Sequence, residues 1–303
     1  MNIALIANPF SGGGFSQEAI ETVIVDIRSA GGAVTLFVSR SVGHCRSLAR
    51  NLPAGVYDAV ACLGGDGTLS EVVDGLLAGA CADQCPPLAV LPSGRGNSFA
   101  RDLGIFNLAD GLAAMADGRT QSVDICRYTQ GDGYHHFVNL MGFGFVTDVA
   151  ETALNYPWLK DFSYVIGVLY RAAVLRCHRM TLTIDGIDYS GPNCFVEFCN
   201  SRYTGGAMKI APHALIDDGM FDAVILSPLS RISLLKTFPR IYAGTHGSNP
   251  AVTIVKGKTA TVRTSPVKTL LPDGELFGTT PTIIDVLPGR LRFFTKSVPP
   301  SAA

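Results

Sequence analysis

Along the first 117 residues, short apolar runs give way repeatedly to glycine- or serine-rich turns and then to helix-like segments. Strand-like Asn2 to Ala7 precedes a helix over Gln17 to Ala30, and Ala33 to Val38 precedes one around Gly43 to Asn51. Ala59 to Leu63 leads into Leu69 to Leu77, and Leu88 to Leu91 into short helices at Asn97 to Leu103 and Leu108 to Asp117. Strand-then-helix repetition of this kind requires crossover connections, so the strands lie parallel, with helices on both faces of the sheet. Ligands of such sheets collect outside the carboxyl ends of the strands. Three loops at those ends are rich in Gly and Ser: Asn8 to Gly14, Gly64 to Thr68, and Ser93 to Asn97.

The middle loop, Gly64-Gly65-Asp66-Gly67-Thr68, is the most informative. A strand that turns through glycines into a helix start leaves backbone N–H groups pointing outward beside the positive end of the helix dipole. That combination binds phosphate. Thr68 is expected to cap the helix, with Glu71 three residues on completing a capping box. Asp66 is the odd member, because a carboxylate among phosphates repels them unless a divalent cation intervenes; the five residues suggest a nucleotide–Mg²⁺ site. The first lysine of the chain is Lys160. A phosphate held in the first half must therefore be held by amides, metal or arginine, and a Walker A lysine is excluded there.

After about Arg127 the texture changes to short strands separated by Gly, Pro, Asn and Asp turns, as in an antiparallel sandwich. The strands are expected at His136 to Val146, Met180 to Ile187, Cys194 to Asn200, Met220 to Leu226, Val252 to Val255, Thr259 to Arg263 and Thr282 to Leu287. Helices are expected at Phe162 to Cys177 and Ser230 to Tyr242. Two domains follow: an α/β nucleotide-binding part over residues 1–128, and a β-sandwich over 129–287, with 299–303 a disordered tail.

With 47% apolar and 16% charged residues the chain has the makings of a compact globule, and a net charge of −1 gives no case for nucleic acid. The N-terminus reads as a buried first strand rather than a leader. The longest apolar stretch, Phe162 to Leu175, is interrupted by Arg171 and too short to span a bilayer. The eight cysteines contain no CxxC pair and read as reduced cytosolic thiols. The six histidines form neither HExxH nor HxH, and His135-His136 reads as a solvated turn.

In order along the chain stand Asn8-Pro9-Phe10-Ser11-Gly12; Gly64 to Val72 (GGDGTLSEV); Leu91 to Arg101 (LPSGRGNSFAR); Gly205 to Pro212 (GGAMKIAP) with Leu215 to Met220 (LIDDGM); and Pro272-Asp273-Gly274-Glu275. This series resembles the diacylglycerol-kinase catalytic-domain family, which includes sphingosine and ceramide kinases and the bacterial soluble lipid kinases. It spans nearly the whole length, and GGDGT by itself would also suit NAD kinases.

The resemblance implies a two-domain lipid kinase, NAD kinase-like in fold, in which the last strand, Leu291 to Thr295, returns to the first domain, so that residues 288–298 belong there. It implies ATP on the glycine loops, at Asn8, Pro9, Ser11, Gly12, Gly64, Gly65, Asp66, Gly67, Thr68, Glu71, Gly94, Arg95 and Asn97, with Ser39 near the nucleotide. The acceptor's base falls on Asp273 or Glu275, and Asp66 joins the catalytic set. Mg²⁺ is expected near Asp66 and Asp124, and a second, structural Mg²⁺ on the Asp218 carboxylate and the carbonyls of Leu215 and Met220, oxygen ligands that suit it. Two positions depart from the family pattern: Arg95 replaces a threonine and Ser98 an aspartate. Arg95 could then bond phosphate in a half without lysine, and the Gly94-x-Gly96-Asn97 spacing leans toward the sphingosine-kinase variant.

The expected activity is ATP-dependent phosphorylation of a diacylglycerol- or sphingoid-type hydroxyl, in a cleft between the domains, by a cytoplasmic protein touching the membrane peripherally. Exposed edge strands leave a homodimer open. Two alternatives remain: a kinase of a soluble acceptor such as NAD, which should lack the DGE and GGxMKIAP segments, and a silent nucleotide-binding regulator, which the change at Ser98 favours and the retained Asp273 and Glu275 oppose.

Overall fold

The computed structural model describes residues 1–11, 17–155 and 175–296. Gly12, the 299–303 tail and most of the Phe162–Cys177 helix expected from the sequence lie outside these residues; the last three of that segment, Leu175 to Cys177, are not helical. The chain divides into two units, one of residues 1–125, 136–138 and 288–303, the other of residues 126–135 and 139–287.

In the first unit, β1 (Asn2–Ala7), β2 (Ala33–Val38), β3 (Ala59–Gly64) and β4 (Leu88–Pro92) are parallel, in the order β2-β1-β3-β4. Registers are regular: Ile3 pairs with Ala59 and Val34, and Ala61 with Ala89. Every residue of β3 and β4 is buried, which is why they read as unbroken apolar runs rather than alternating ones. Helices α1 (Gln17–Ser29), α2 (His44–Arg50), α3 (Asp66–Leu77) and α4 (Leu108–Asp117) complete the crossovers. Helices α2 and α3 meet at bare backbone. A methyl group on Gly75 would lie 2.3 Å from the Arg46 carbonyl oxygen, and one on Gly79 2.4 Å from that of Arg50. Gly75 on α3 and Gly79 just past its end thus admit α2 at close range.

The sequence reading missed β5 (Thr120–Gln130), whose mixed TQSVDICRYTQ is buried only along part of its length. The expected helix at Asn97 to Leu103 is only a 3-10 turn, Phe99–Arg101. The single strand expected over His136 to Val146 is three elements: β6 (Gly133–Phe137), β7 (Leu140–Gly144) and the helix α5 (Phe145–Asn155).

The second unit is a sandwich. After β8 (His178–Ile184), β9 (Ile187–Asp188) and β10 (Gly191–Asn193) come β11 (Phe195–Cys199), the short β12 (Tyr203–Thr204) and β13 (Met208–Lys209), and β14 (Phe221–Leu226). Two helices, α6 (Arg231–Thr237) and α7 (Arg240–Ala243), replace the single one expected there, because Pro239 intervenes. The chain ends with β15 (Val252–Gly257), β16 (Thr259–Ser265), β17 (Leu270–Pro272) and β18 (Thr282–Phe294). One layer is the antiparallel sheet β15-β14-β11-β7-β17, and the other contains β10-β8-β16-β18. β18 continues into the first unit, where Phe293 pairs in parallel with Leu88, the return expected of the last strand. All eight cysteines are free thiols, and no described helix is long and apolar enough to cross a membrane.

In the centre of β11, Glu197 pairs with Gly142 on β7 and is buried, and burial raises its carboxyl to about 7. A carboxyl raised on folding stabilises the fold below its unfolded pKa, and that contribution is lost as pH rises through the folded value. Glu197→Gln is therefore expected to raise the melting temperature at pH 8 relative to the native chain and to change it little at pH 4, a comparison that thermal scans at the two pH values check.

Candidate active site

In the first unit the three glycine loops close on one another at the carboxyl ends of β1, β3 and β4. Asn8 is the hub of the first: its amide donates to Thr68 Oγ1 (3.0 Å), and its Oδ1 accepts the Phe10 N–H (3.1 Å). Pro9 and Ser11 follow, with the Ser11 N–H returning to the Asn8 carbonyl. The second and third loops touch through two glycines. A methyl on Gly94 would sit 2.6 Å from Gly65 Cα, and one on Gly65 would be 3.1 Å from Gly94 Cα and 3.2 Å from Ser11 Oγ. Asn97, at a positive φ of 49°, closes the third loop: its amide donates to the Gly94 carbonyl and its Oδ1 accepts the Gly94 N–H.

Thr68 does not cap α3, as the sequence suggested. The helix starts at Asp66, with Gly65 in the cap position and no side-chain cap. Thr68 stands a turn inside, where a methyl on Gly64 would meet its Cβ at 2.4 Å, and its hydroxyl serves Asn8. Nor does Glu71 complete a capping box. It accepts the N–H groups of Gly43 (2.8 Å) and Arg46 (3.4 Å), so it caps α2, whose own cap residue Gly43 has no side chain to do so. The first-turn amides of α3 at Asp66, Gly67 and Thr68 have no carbonyl a turn back, and so face outward as donors.

Asp66 binds the third loop directly. Oδ2 accepts the Ser98 N–H at 2.9 Å and Oδ1 the Phe99 N–H at 3.2 Å. Burial pushes its carboxyl up, and these donors, with the Ser98 hydroxyl and the Asn97 amide, pull it back. The aspartate-to-serine departure at position 98 thus has a local reason: Ser98 donates to Asp66, where a second carboxylate would repel it. Arg95 is exposed on the same loop. Ser93, also there, has a buried hydroxyl without a hydrogen-bond partner. Ser39 is buried beyond β2, its hydroxyl donating to the Ser41 carbonyl.

Asp124 is not brought to Asp66. Its Oδ1 accepts the Gly289 N–H at 2.7 Å. Gly289 precedes Phe293, the partner of the first residue of β4, so this pair lies at the amino edge of the sheet. The glycine loops lie at the other edge, and a Mg²⁺ shared by Asp66 and Asp124 does not fit.

His135 and His136 are not a solvated turn either. His136 lies on β6, and its N–H and Nδ1 both meet Asp74 Oδ1, at 2.9 and 2.8 Å. Arg46 bonds the other oxygen of Asp74 at 2.9 Å. The signal in the sequence was Asp74 itself, a carboxylate inside the apolar run of α3. In the second unit, the His135 ring packs between Tyr128 and Phe277.

Also in the second unit, Asp273 and Glu275 separate clearly. Asp273 is buried at φ 48°, and its Oδ1 accepts the N–H groups of Asn139 (2.8 Å) and Leu140 (3.1 Å) at the start of β7. Its own N–H returns to the Leu140 carbonyl, and Asn139 is held in turn by the hydroxyl of Ser201. Glu275 is exposed. The structure fixes the first carboxylate and leaves the second at the surface.

The acidic turn expected to hold a structural Mg²⁺ carries its own cation. Lys256 Nζ lies 2.6 Å from Asp218 Oδ2 and 3.2 Å from Asp222 Oδ2, while Asp218 Oδ1 accepts the Met220 N–H. Both carboxylate oxygens are engaged, so the set of Leu215, Asp218 and Met220 does not fit a metal. No group of three or more His, Cys, Asp and Glu able to hold one occurs among the described residues.

Residues 2–128 match the family described as the diacylglycerol kinase catalytic domain, and residues 139–295 match the YegS C-terminal NAD kinase beta sandwich-like domain. The chain is 29% identical over 295 residues to a diacylglycerol kinase of Mycobacterium tuberculosis, covering 96% of this chain and 94% of that one. It is 27% identical over 281 residues to a diacylglycerol kinase of Bacillus subtilis, covering 91% and 90%. In fold it is similar to the crystal structure of a diacylglycerol kinase from Bacillus anthracis, with a TM-score of 0.74 at 22% identity and 97% of each chain covered. It is also similar to an NAD kinase from Archaeoglobus fulgidus solved with ATP, with a TM-score of 0.54 at 11% identity, covering 98% and 94%.

Two outcomes are expected of this geometry. Gly94→Ala forces the second and third loops apart and should lower affinity for a non-hydrolysable ATP analogue at least tenfold by calorimetric titration, with the melting temperature changed little. Chelation of divalent cations should leave the melting temperature of the native chain unchanged, whereas Lys256→Met, which strips Asp218 and Asp222 of their cation, should lower it by several degrees.

Proposed function

The chain belongs to the diacylglycerol kinase catalytic-domain family, with a C-terminal domain of the YegS type, and we propose that it transfers the γ-phosphoryl group of ATP to a lipid hydroxyl of the diacylglycerol or sphingoid type. The observation that carries this reading is the cradle at Gly65 and Gly94. It is a place where backbone approaches backbone with no side chain between, beside the outward amides of α3 and the unpartnered hydroxyl of Ser93. Donors of that kind suit an anion with several oxygens and do not need lysine.

Phosphoryl transfer asks for a positioned nucleotide, neutralised charge and a base for the attacking hydroxyl. In this proposal the α3 amides and the loop of Gly94 to Asn97 hold the triphosphate. Arg95, exposed on that loop, neutralises charge that develops on the moving group. Mg²⁺, when bound with ATP, would supply further neutralisation of the phosphate charge. Asp66 acts by positioning: it fixes the third loop through the Ser98 and Phe99 amides. Asp273 is the better base of the DGE pair, since two amides orient it on one oxygen, whereas Glu275 lies exposed at the surface. The reading extends to a role in lipid metabolism at the membrane surface.

The test is transfer of labelled phosphate from ATP to a panel of mixed-micelle lipids with NAD⁺ included. Phosphorylation of a diacylglycerol or sphingoid base is expected; transfer to NAD⁺ alone, or to nothing, overturns the reading. Asp273→Asn should lower kcat by about 10²–10⁴-fold with ATP affinity unchanged, and Glu275→Gln should lower it far less. Equal and small effects of the two would remove Asp273 as the base.

A further inference from the structure

Residues 223–272 contain no Asp or Glu, yet they include seven basic residues: Arg231, Lys236, Arg240, Lys256, Lys258, Arg263 and Lys268. The first three are exposed and cluster on the short helices α6 and α7. Ser230 caps α6 by accepting the Ser233 N–H. Leu234 and Thr237 turn inward and are buried, while Ile232 is left 67% exposed, Leu235 41% and Tyr242 49%. Three large apolar side chains on the outer side of one helical corner, among three cations and no acid in their own sequence, make an unusual surface for a soluble fold. The Phe238 ring, packed edge-on to Tyr242, steadies the corner from beneath.

We infer that this corner is where the chain docks on an anionic bilayer, with Ile232, Leu235 and Tyr242 entering the interface and Arg231, Lys236 and Arg240 meeting lipid phosphates. The occupant follows from charge. Arg231, Lys236 and Arg240 stand exposed beside Ile232, Leu235 and Tyr242 with no acid on either helix, and a surface of fixed negative charge over hydrocarbon matches both the cations and the apolar side chains. The inner face of the same helix ties it to the proposed acceptor carboxylate, because Leu234 packs in one core cluster with Leu140 and Leu271. Leu140 donates its N–H to Asp273, and Leu271 lies two residues before it. The inference rests on the lipid-kinase reading for its purpose, and its measurement does not.

The test is co-sedimentation of the full chain with vesicles of pure phosphatidylcholine and with vesicles of phosphatidylcholine mixed with phosphatidylglycerol. Binding is expected to the mixed vesicles alone and to fall with added salt. Ile232→Ser with Leu235→Ser should weaken it tenfold or more. Lys236→Gln and Arg231→Gln should each weaken it about fivefold, the equivalent of about 1 kcal/mol per charge. Ile187→Ser, an exposed apolar residue elsewhere in the second unit, should leave binding unchanged. Turnover of a short-chain, water-soluble diacylglycerol should be the same in the native chain and the helix variants. No binding to the mixed vesicles, binding unmoved by the helix variants, or a native dimer that those variants dissolve would each overturn the docking surface. Vesicle binding that depends on the corner, by a chain that phosphorylates no lipid, would uphold the surface and remove the kinase reading.

Discussion

The contact on which the first unit's site depends is that between Gly65 and Gly94, locked by Asp66. Two loops from neighbouring parallel strands approach until a single added methyl would be 2.6 Å from the opposing Cα. The carboxylate next to that contact then takes two amides of the third loop. Glycine alone lets the backbones meet, and a buried carboxylate alone supplies two acceptors at that spacing. The arrangement is costly, since burial raises the Asp66 carboxyl against the donors that hold it. A cost kept at the mouth of a parallel sheet is the pattern expected where local preference yields to a site.

Much of this was legible. β1, β3 and β4 stood out because both faces of such strands are covered, so that each reads as an apolar run; β2 is apolar in sequence although it lies half-open at the edge of the sheet. What the sequence hid depended on partners distant along the chain. Thr68 and Glu71 have the spacing of a capping box, but the cap position of α3 falls three residues earlier, at Gly65, and Glu71 caps the start of α2 instead. His136 reads as polar until Asp74, sixty-two positions away, is placed against it. The segment from His136 to Val146 is continuously apolar in its second half, and such a run suits a strand or a buried helix equally; the chain uses both, in β7 and α5. Asp124 was assigned by resemblance, and only the register of β18 reveals that it faces the wrong edge.

The two carboxylates of the DGE segment illustrate a different limit. Composition makes them equivalent, and spacing adds nothing. Their difference comes from a positive φ at Asp273 that turns its side chain inward to the amides of β7, while Gly274 lets the chain leave at once and Glu275 emerges at the surface. Orientation by backbone amides is what distinguishes a positioned group from a merely nearby one, and it arises from the pairing of β17 with β7.

At two acidic positions where the family resemblance implied metal, the protein supplies hydrogen-bond donors of its own. At Asp66 they are amides and Ser98, the residue that departs from the pattern; an aspartate there would have set two carboxylates side by side and called for a cation between them. At Asp218 the donor is Lys256, which burial discourages from carrying charge but which Asp218 and Asp222 together hold above the usual lysine pKa. The departures at 98 and the ion pair at 256 then have one physical meaning. In both places the acidic side chain is held by donors from the protein's own framework.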